Sequence, residues 1–121
     1  MHTLFSDGQL SPKELVEYAK SRNVQVMCIN DHDTVKGVID VHSFQVEGIT
    51  VLYGIELSCG LDEESSVHLT GYFPRNTDFA AFQRYLDAEV NQRRLWICVV
   101  LIIESIVGRR LWIFLFRMDS T

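Results

Sequence analysis

The fold of this chain is decided near the N-terminus by residues 24–34, which read VQVMCINDHDT. The first six residues of this stretch are mostly apolar, and a short apolar run of this kind is typical of a strand buried within a sheet. Asp31, His32 and Asp33 follow directly. In α/β folds the functional side chains lie at the carboxyl ends of the strands, so the stretch predicts an α/β fold with chemistry after its first strand.

Helices and strands alternate outward from this stretch. Residues 11–14 (SPKE) combine a capping box with proline at the first helical position, and the helix is expected to run to about Arg22. Its apolar stripe is expected to consist of Leu15, Val16, Tyr18 and Ala19. The further predicted elements are a helix over 34–45, strands over 49–53 and 67–73, and a last helix capped by Asp78 with Phe79, Phe82, Tyr85 and Leu86 on one face. This alternation indicates an α/β architecture with parallel strand pairing.

Polar side chains recur at the other predicted strands. The second strand is followed by residues 54–58 (GIELS), which place Glu56 directly after an apolar strand, where an unpaired carboxylate is costly to bury. The third strand contains His68, and the N-terminal residues 2–8 read HTLFSDG. Three of the four histidines therefore lie near predicted strand ends together with carboxylates.

Imidazole and carboxylate groups are the ligands that suit Zn²⁺, Mn²⁺ and Fe²⁺. A carboxylate that bridges two such ions about 3.5–4 Å apart supports displacement at phosphorus. Structural roles stay open for some residues: Asp33 or Thr34 as a helix cap, His68 as a core histidine, and Gly8 as a turn residue with positive φ. His42 has no acidic neighbour at motif spacing and is expected to be structural.

Charge divides the 121 residues into two parts. Residues 1–92 carry 6 basic and 14 acidic side chains, whereas residues 93–121 carry 5 basic and 2 acidic ones together with both tryptophans. With 47% hydrophobic and 22% charged residues the chain is neither disordered nor collagen-like, and its net charge of −5 argues against a protein that coats nucleic acid. We expect a domain over 1–92 and an anomalous hydrophobic and basic tail over 93–121.

Cysteine usage and the apolar runs bear on the compartment. The three cysteines, at positions 28, 59 and 98, have no paired spacing, and the N-terminus lacks the pattern of a secretory signal, so a reducing cytoplasm is expected. The apolar runs 95–103 and 111–116 are each shorter than the roughly 20 residues of a membrane span, and Glu104 separates them. A stable membrane span is therefore not expected, and a membrane-anchored protein ranks last among the interpretations.

Four segments in order resemble the motifs of the PHP (polymerase and histidinol phosphatase) superfamily. They are 2–8 (HTLFSDG), 30–34 (NDHDT), 54–58 (GIELS) and 67–72 (VHLTGY). Each segment alone is a weak signal, but four of them in order over residues 2–73 are specific. The similarity is greatest to the stand-alone metal-dependent phosphoesterases, which include nucleoside 3′,5′-bisphosphate phosphatases and 5′→3′ exoribonucleases.

The resemblance implies the front portion of a distorted (βα)7, TIM-like barrel that binds up to three divalent ions, namely Mn²⁺, Zn²⁺, Fe²⁺ or Mg²⁺. It implies an enzyme that hydrolyses phosphate esters of small molecules, nucleotides or short oligonucleotides through a metal-activated water. The implied metal ligands are His2, Asp7, His32, Glu56 and His68, with Glu56 bridging two ions and with Glu56 and His32 as the catalytic pair. Asp31 is implied as a supporting carboxylate that orients His32 or another ligand.

The sequence also departs from the family pattern. The first histidine of the H-x-H opening would precede Met1, Asn30 stands where threonine is usual, and no later histidine or D-x-H segment follows residue 92. These departures predict a truncated domain, with residues from about 95 read out of frame after a frameshift or early stop. The alternative to an active phosphoesterase is a catalytically incomplete remnant or a non-catalytic interaction fragment, and the oligomeric state stays open.

Overall fold

The computed structural model describes residues 1–60, 66–89 and 113–115; at positions 59, 60, 66, 67, 89 and 113–115 only the backbone is described. The elements are α1 (Pro12–Ser21), β1 (Val26–Ile29), α2 (Lys36–His42), β2 (Thr50–Gly60), β3 (Ser66–Phe73), α3 (Phe79–Glu89) and β4 (Ile113–Leu115). The mixed α/β class expected from the sequence is confirmed. Closure of the sheet into a barrel stays a prediction.

The strands form one sheet in the order β1-β2-β3-β4. β1 and β2 run parallel, with Ile29 opposite Tyr53, as expected for two strands joined through a helix. β2 and β3 run antiparallel, and so do β3 and β4. The expectation of parallel pairing is therefore wrong beyond the first pair. For β2 and β3 the reason is that only five residues connect them, whereas a parallel crossover needs about a dozen or more.

α1 begins as the sequence predicts. Ser11 Oγ accepts a hydrogen bond from the backbone N–H of Glu14 at 3.3 Å, and Glu14 Oε2 accepts one from the backbone N–H of Ser11 at 2.9 Å. These two bonds complete the capping box and satisfy N–H groups that have no partner within the helix. Leu15, Val16 and Ala19 then bury one face of α1 in the core.

α2 is shorter than predicted. Thr34, one of the two residues expected as its cap, accepts a hydrogen bond from Lys36 N–H through Oγ1 at 3.2 Å, and another element supplies a second acceptor at the start of α2. Its N-cap residue, Val35, makes no capping hydrogen bond with its own side chain. Instead Oε1 of Gln83, a buried side chain of α3, accepts hydrogen bonds from Val35 N–H at 2.8 Å and from Thr34 Oγ1 at 3.0 Å. The start of α2 is thus fastened to α3 by a residue 48 positions away in sequence.

Two loop residues differ from their expected roles. Asp33 does not cap α2, because its Oδ1 accepts a hydrogen bond from the backbone N–H of Ser58 in β2 at 2.7 Å. Gly8 does not adopt a positive φ. A Cβ atom at position 8 would lie 2.2 Å from the carbonyl oxygen of His2, so glycine is needed there for close approach of the backbone.

The hydrophobic core lies on one face of the sheet, which α1, α2 and α3 cover. The buried strand residues on this face are Met27, Ile29, Val51, Tyr53, Ile55, Leu57, Leu69 and Phe73. Successive side chains of a strand point to opposite faces, so their neighbours point the other way. Among the described residues no helix covers the other face, called here the uncovered face. It carries Glu56 and His68 together with half-buried Cys28 and exposed Leu52 and Tyr72.

The cysteine expectation can be compared with the structure at one position. Cys28 is a free thiol, and its burial raises its pKa to about 11. A thiol with so high a pKa is largely protonated at neutral pH and is therefore chemically unreactive. The side chains of Cys59 and Cys98 lie outside the described residues.

The predictions for the C-terminal part lie outside the described residues, apart from the short strand β4. They concern the tail over 93–121, its apolar runs and the change of reading frame. Among the described residues, no helix is long and apolar enough to cross a membrane. The division of the chain at residue 92 stays a prediction.

Candidate metal centre

Backbone hydrogen bonds place the N-terminal segment beside β1. The carbonyl oxygen of Met1 accepts a hydrogen bond from Asn30 N–H at 3.0 Å, and the amino group of Met1 donates one to the carbonyl oxygen of Cys28 at 2.8 Å. This is the pairing of two parallel strands. It brings His2 to the carboxyl end of β1, the end from which His32 also extends.

The residues after β1 are attached to β2 in the same way. The backbone N–H of Glu56 donates to the carbonyl oxygen of Asp31 at 3.0 Å, and the N–H of Asp33 donates to the carbonyl oxygen of Glu56 at 2.9 Å. Glu56 lies inside β2 and not after it as expected. Its neighbours Ile55 and Leu57 are buried in the core, so strand alternation turns the Glu56 carboxylate toward the uncovered face.

The carboxylate of Glu56 lies between two imidazoles. Its Oε2 atom is 3.0 Å from Nε2 of His2, and its Oε1 atom is 2.9 Å from Nδ1 of His68 in β3. The ring of His32 packs against both other rings, with centroid distances of 4.5 Å to His2 and 4.9 Å to His68. The Glu56 side chain is only 13% exposed, whereas the His68 side chain is 36% exposed, so solvent reaches the cluster from the histidine side.

Asp7 approaches the cluster from residues 2–8, called here the N-terminal loop. Its Oδ1 atom is 2.8 Å from Nδ1 of His2, and its Oδ2 atom is 3.6 Å from Nε2 of His32. Desolvation raises the pKa of Asp7, but the charges of His2 and His32 and a backbone hydrogen bond together lower it by more, so the pKa lies below its ordinary value of 3.8. An ionised carboxylate thus stands beside two imidazoles.

These residues fit a divalent cation. One ligand atom from each of His2, His32 and Glu56 lies within 4.8 Å of the other two. Nδ1 of His32 is buried without a hydrogen-bond partner, and Nδ1 of His2 is buried against the Asp7 carboxylate. A buried ring nitrogen without a partner is costly, and a metal ion is a partner that satisfies it. Two imidazoles and a carboxylate are a donor set that Zn²⁺, Mn²⁺ and Fe²⁺ accept.

Asp31 contacts the N-terminal loop. Its carboxylate is 1% exposed and accepts hydrogen bonds from Thr3 N–H at 2.5 Å, Thr3 Oγ1 at 2.7 Å and Ser6 Oγ at 2.7 Å. Among the described hydrogen bonds of this carboxylate, none reaches the ring of His32. The supporting role implied for Asp31 is therefore directed at the loop that carries His2 and Asp7.

The structure brings together all five residues implied as ligands, and the remaining histidine lies apart from them. The five are His2, Asp7, His32, Glu56 and His68. His42 lies on α2, where its Nε2 atom is 3.3 Å from the carbonyl oxygen of Arg75 and its ring packs 5.6 Å from that of Tyr53. These contacts agree with the structural role expected for His42.

Gly37 was overlooked in the sequence. A Cβ atom at this position would lie 2.2 Å from Oδ2 of Asp31 and 2.9 Å from Oγ1 of Thr3. A glycine inside a predicted helix is about 1 kcal/mol less favourable than alanine, and this mismatch was the available signal. Gln83 was also overlooked, because a glutamine on a helix gives no sign of the distant backbone group that it binds.

Comparison with known proteins assigns the family. The family model described as PHP domain matches residues 1–95. The chain belongs to the PHP domain family. A 5′-3′ exoribonuclease of Haemophilus influenzae is 38% identical over 71 residues, which are 58% of this chain and 26% of that protein.

Solved structures show the same fold over most of the described residues. An amidohydrolase from Chromobacterium violaceum, solved with bound sulfate and no metal, superposes with a TM-score of 0.58 at 25% identity over 88% of this chain and 38% of that one. A protein from Bifidobacterium adolescentis assigned as a metal-dependent phosphoesterase superposes with a TM-score of 0.54 at 28% identity over 84% of this chain and 40% of that one. This PHP chain therefore spans well under half the length of these relatives.

Proposed function

We propose that this chain forms the metal-binding part of a PHP phosphoesterase that hydrolyses phosphate esters of nucleotides or short oligonucleotides. The observation that carries the proposal is the Glu56 carboxylate, which directs one oxygen toward His2 and the other toward His68. A carboxylate with its two oxygens so divided is suited to bridge two cations in a hydrolytic site. The similarity to an exoribonuclease and to a phosphoesterase supports the same class of reaction.

The residues present have separate roles in this proposal. His2, His32 and Glu56 would hold one divalent ion, with Asp7 as a further donor. His68 would hold a second ion, for which Glu56 would also be a ligand. When bound, such ions supply a Lewis acid and lower the pKa of water. Mn²⁺, Zn²⁺, Fe²⁺ and Mg²⁺ are the candidate ions.

The protein environment favours this chemistry through burial and charge. Glu56 is largely withdrawn from solvent, which strengthens its interaction with a cation. Asp7 adds an anionic oxygen donor beside the two imidazoles, with Oδ1 2.8 Å from Nδ1 of His2 and Oδ2 3.6 Å from Nε2 of His32. The uncovered face leaves His68 partly exposed, so a phosphate ester can approach from that side.

A second candidate is a metal-binding fragment without turnover. The coverage of 26–40% of the relatives favours it, because catalysis in a whole relative can require residues from the part that this chain does not match. The two candidates share the metal centre and differ only in hydrolysis.

A phosphate-release assay with Mn²⁺ tests the proposal. A nucleoside 3′,5′-bisphosphate and a short 5′-phosphorylated RNA serve as substrates, and release of inorganic phosphate or of mononucleotides distinguishes a phosphatase from an exoribonuclease. Activity is expected with Mn²⁺ and is lost in Glu56→Ala and His32→Ala. It is retained in Glu47→Ala, which removes an exposed glutamate between α2 and β2.

The same samples separate the two candidates. Mn²⁺ binding without release of either product supports the non-catalytic fragment. A protein that neither binds Mn²⁺ nor releases product contradicts both. Activity that survives Glu56→Ala contradicts the assignment of the site.

A further inference from the structure

We propose that Asp31 is a positioning residue that docks the N-terminal loop onto the metal centre and thereby sets metal affinity through His2 and Asp7. The effect on metal affinity rests on the proposed function, whereas the docking itself does not. Asp31 holds no ion in this proposal and acts only on the residues that do.

The anchored residues are the direct neighbours of the two ligands on the loop. Thr3 follows His2, and Ser6 precedes Asp7. Both donate to the Asp31 carboxylate, Thr3 through its N–H and hydroxyl groups and Ser6 through its hydroxyl group. Hydrogen bonds to an ionised acceptor are about twice as strong as neutral ones. The Asp31 side chain therefore fixes the loop on both sides of its apex, which consists of residues 4 and 5.

Apolar packing holds the apex of the loop only weakly. Leu4 is 51% exposed and Phe5 is 39% exposed, so neither anchors the loop in the core. The hydrogen bonds from Ser6 N–H and Gly8 N–H to the carbonyl oxygen of Thr3 set the shape of the loop but do not attach it to the sheet. Leu4 N–H donates to the carbonyl oxygen of Leu10 at 2.9 Å, which ties the loop to the residues before α1. The buried carboxylate of Asp31 attaches residues 3–6 to the segment after β1.

Asp31 is at the same time fixed to the other half of the site. Its carbonyl oxygen accepts the backbone N–H of Glu56, and His32 is the next residue in the chain. Its Oδ2 atom lies against Gly37 at the start of α2. The backbone pairing of Met1 with β1 still holds the chain before His2. Removal of the negative charge is thus expected to loosen the positions of His2 and Asp7 while His32 and Glu56 keep their places.

Amide hydrogen exchange of the metal-free protein tests the docking. In Asp31→Asn the Thr3 and Gly8 amides are expected to exchange at least about 10-fold faster, because local opening controls their protection. The Asp33 and Glu56 amides, which donate to backbone carbonyls, are expected to keep their rates. Ser6→Ala is expected to act in the same direction with a smaller effect, and it serves if Asp31→Asn fails to fold.

The charge-matched control is Asp40→Asn, which removes a carboxylate from the body of α2. This variant is expected to leave the exchange of all four amides unchanged. Equal acceleration of every amide in Asp31→Asn would reduce Asp31 to a general structural residue. An unchanged Thr3 rate in both Asp31→Asn and Ser6→Ala would overturn the docking.

A titration with Mn²⁺ alone tests the effect on the metal centre. Loss of a group that orients ligands typically costs 10–100-fold in metal affinity, and Asp31→Asn is expected to lie in that range. If Asp31 acts through the loop, Asp31→Asn should cause little further loss of Mn²⁺ affinity in a protein that already carries His2→Ala and Asp7→Ala. In a protein that carries His68→Ala, it should cause the same loss of affinity as in the wild type.

The outcomes keep this proposal distinct from the proposed function. If Asp31→Asn lowered the Mn²⁺ affinity equally in the His2→Ala/Asp7→Ala protein and in the His68→Ala protein, Asp31 would not act through the loop. A wild-type chain that binds no Mn²⁺ would contradict the proposed function and the effect on affinity, and the exchange rates of Thr3 and Gly8 would still decide the docking.

Discussion

Oδ2 of Asp31 occupies the space that a Cβ atom at position 37 would fill. An ideal Cβ atom on Gly37 would lie 2.2 Å from this oxygen. Because Gly37 is the second residue of α2, the buried carboxylate lies directly against the first turn of that helix. The Asp31 carboxylate therefore both limits the size of the residue at position 37 of α2 and holds the N-terminal loop.

Gly37→Ala is expected to destabilise the protein. Overpacking of a buried site typically costs about 1–3 kcal/mol, and this cost exceeds the roughly 1 kcal/mol that alanine adds through helix propensity. Urea unfolding measures the net change. The control is Gly71→Ala, where the added Cβ would meet Cγ2 of Ile55 at an ordinary 3.5 Å. A Gly37→Ala protein as stable as the wild type would contradict the close approach to Asp31.

Gln83→Ala is expected to loosen the start of α2. The substitution leaves Val35 N–H buried without its acceptor, and an unsatisfied buried donor costs about 1–3 kcal/mol. Chemical denaturation gives the loss of stability. Arg84→Ala, at the exposed neighbouring position, is the matched control and is expected to change stability by less than about 0.5 kcal/mol. Equal effects of the two substitutions would show that Gln83 has no special role.

Substitution of a histidine is expected to reduce the stabilisation by Mn²⁺ only when that histidine belongs to the candidate metal centre. A ligand that binds only the folded state at 100 times its dissociation constant stabilises it by about 2.7 kcal/mol. His32→Ala is expected to lose most of this gain, because His32 belongs with His2 and Glu56 to the group of side chains that fits one ion. His42→Ala is expected to retain it, because His42 contacts Arg75 and Tyr53 instead. Thermal unfolding with and without Mn²⁺ measures both, and loss of the gain in His42→Ala would place the metal elsewhere.

The capping box of α1 is expected to make stability depend on pH. Hydrogen bonds from the Ser11 backbone and hydroxyl lower the pKa of Glu14 below its ordinary value of 4.5. A pKa that is lower in the folded state stabilises that state above the unfolded pKa, and the stabilisation is lost as pH falls through the folded pKa. Glu14→Gln should therefore lower the melting temperature near pH 7 and have little effect near about pH 3.

The control for Glu14 is Glu47→Gln, an exposed glutamate outside any helix. It is expected to change the melting temperature little at either pH. A difference between wild type and Glu14→Gln of the same size at both pH values would mean that the charge of Glu14 does not contribute.

Helix faces and helix starts were the most predictable features of the fold. The capping box at Ser11 and Glu14 forms as expected, and Phe79, Phe82 and Leu86 are buried on one face of α3. These features depend on residues three or four positions apart, so the local sequence contains the information that specifies them. Tyr18 is an exception, since it was expected on the apolar stripe of α1 and is 47% exposed.

Strand pairing was less predictable. The expected strand over 49–53 extends to Gly60, and Glu56 belongs to it. The apolar pattern alone did not show whether β3 would pair parallel or antiparallel with β2. That direction depends on where β2 ends and β3 begins, and on which distant residues pair with each other. Both are decided only when the chain folds.

The sequence by itself determined the α/β class and singled out the candidate site residues, because the imidazoles and carboxylates of its four ordered motifs are side chains that suit a metal ion. Only the tertiary structure decided how they act on one another. The Asp31 carboxylate reaches Thr3, 28 positions away, and Glu56 divides its oxygens between His2 and His68. Such contacts depend on strand register and on the space left by Gly37, which no local pattern of residues encodes.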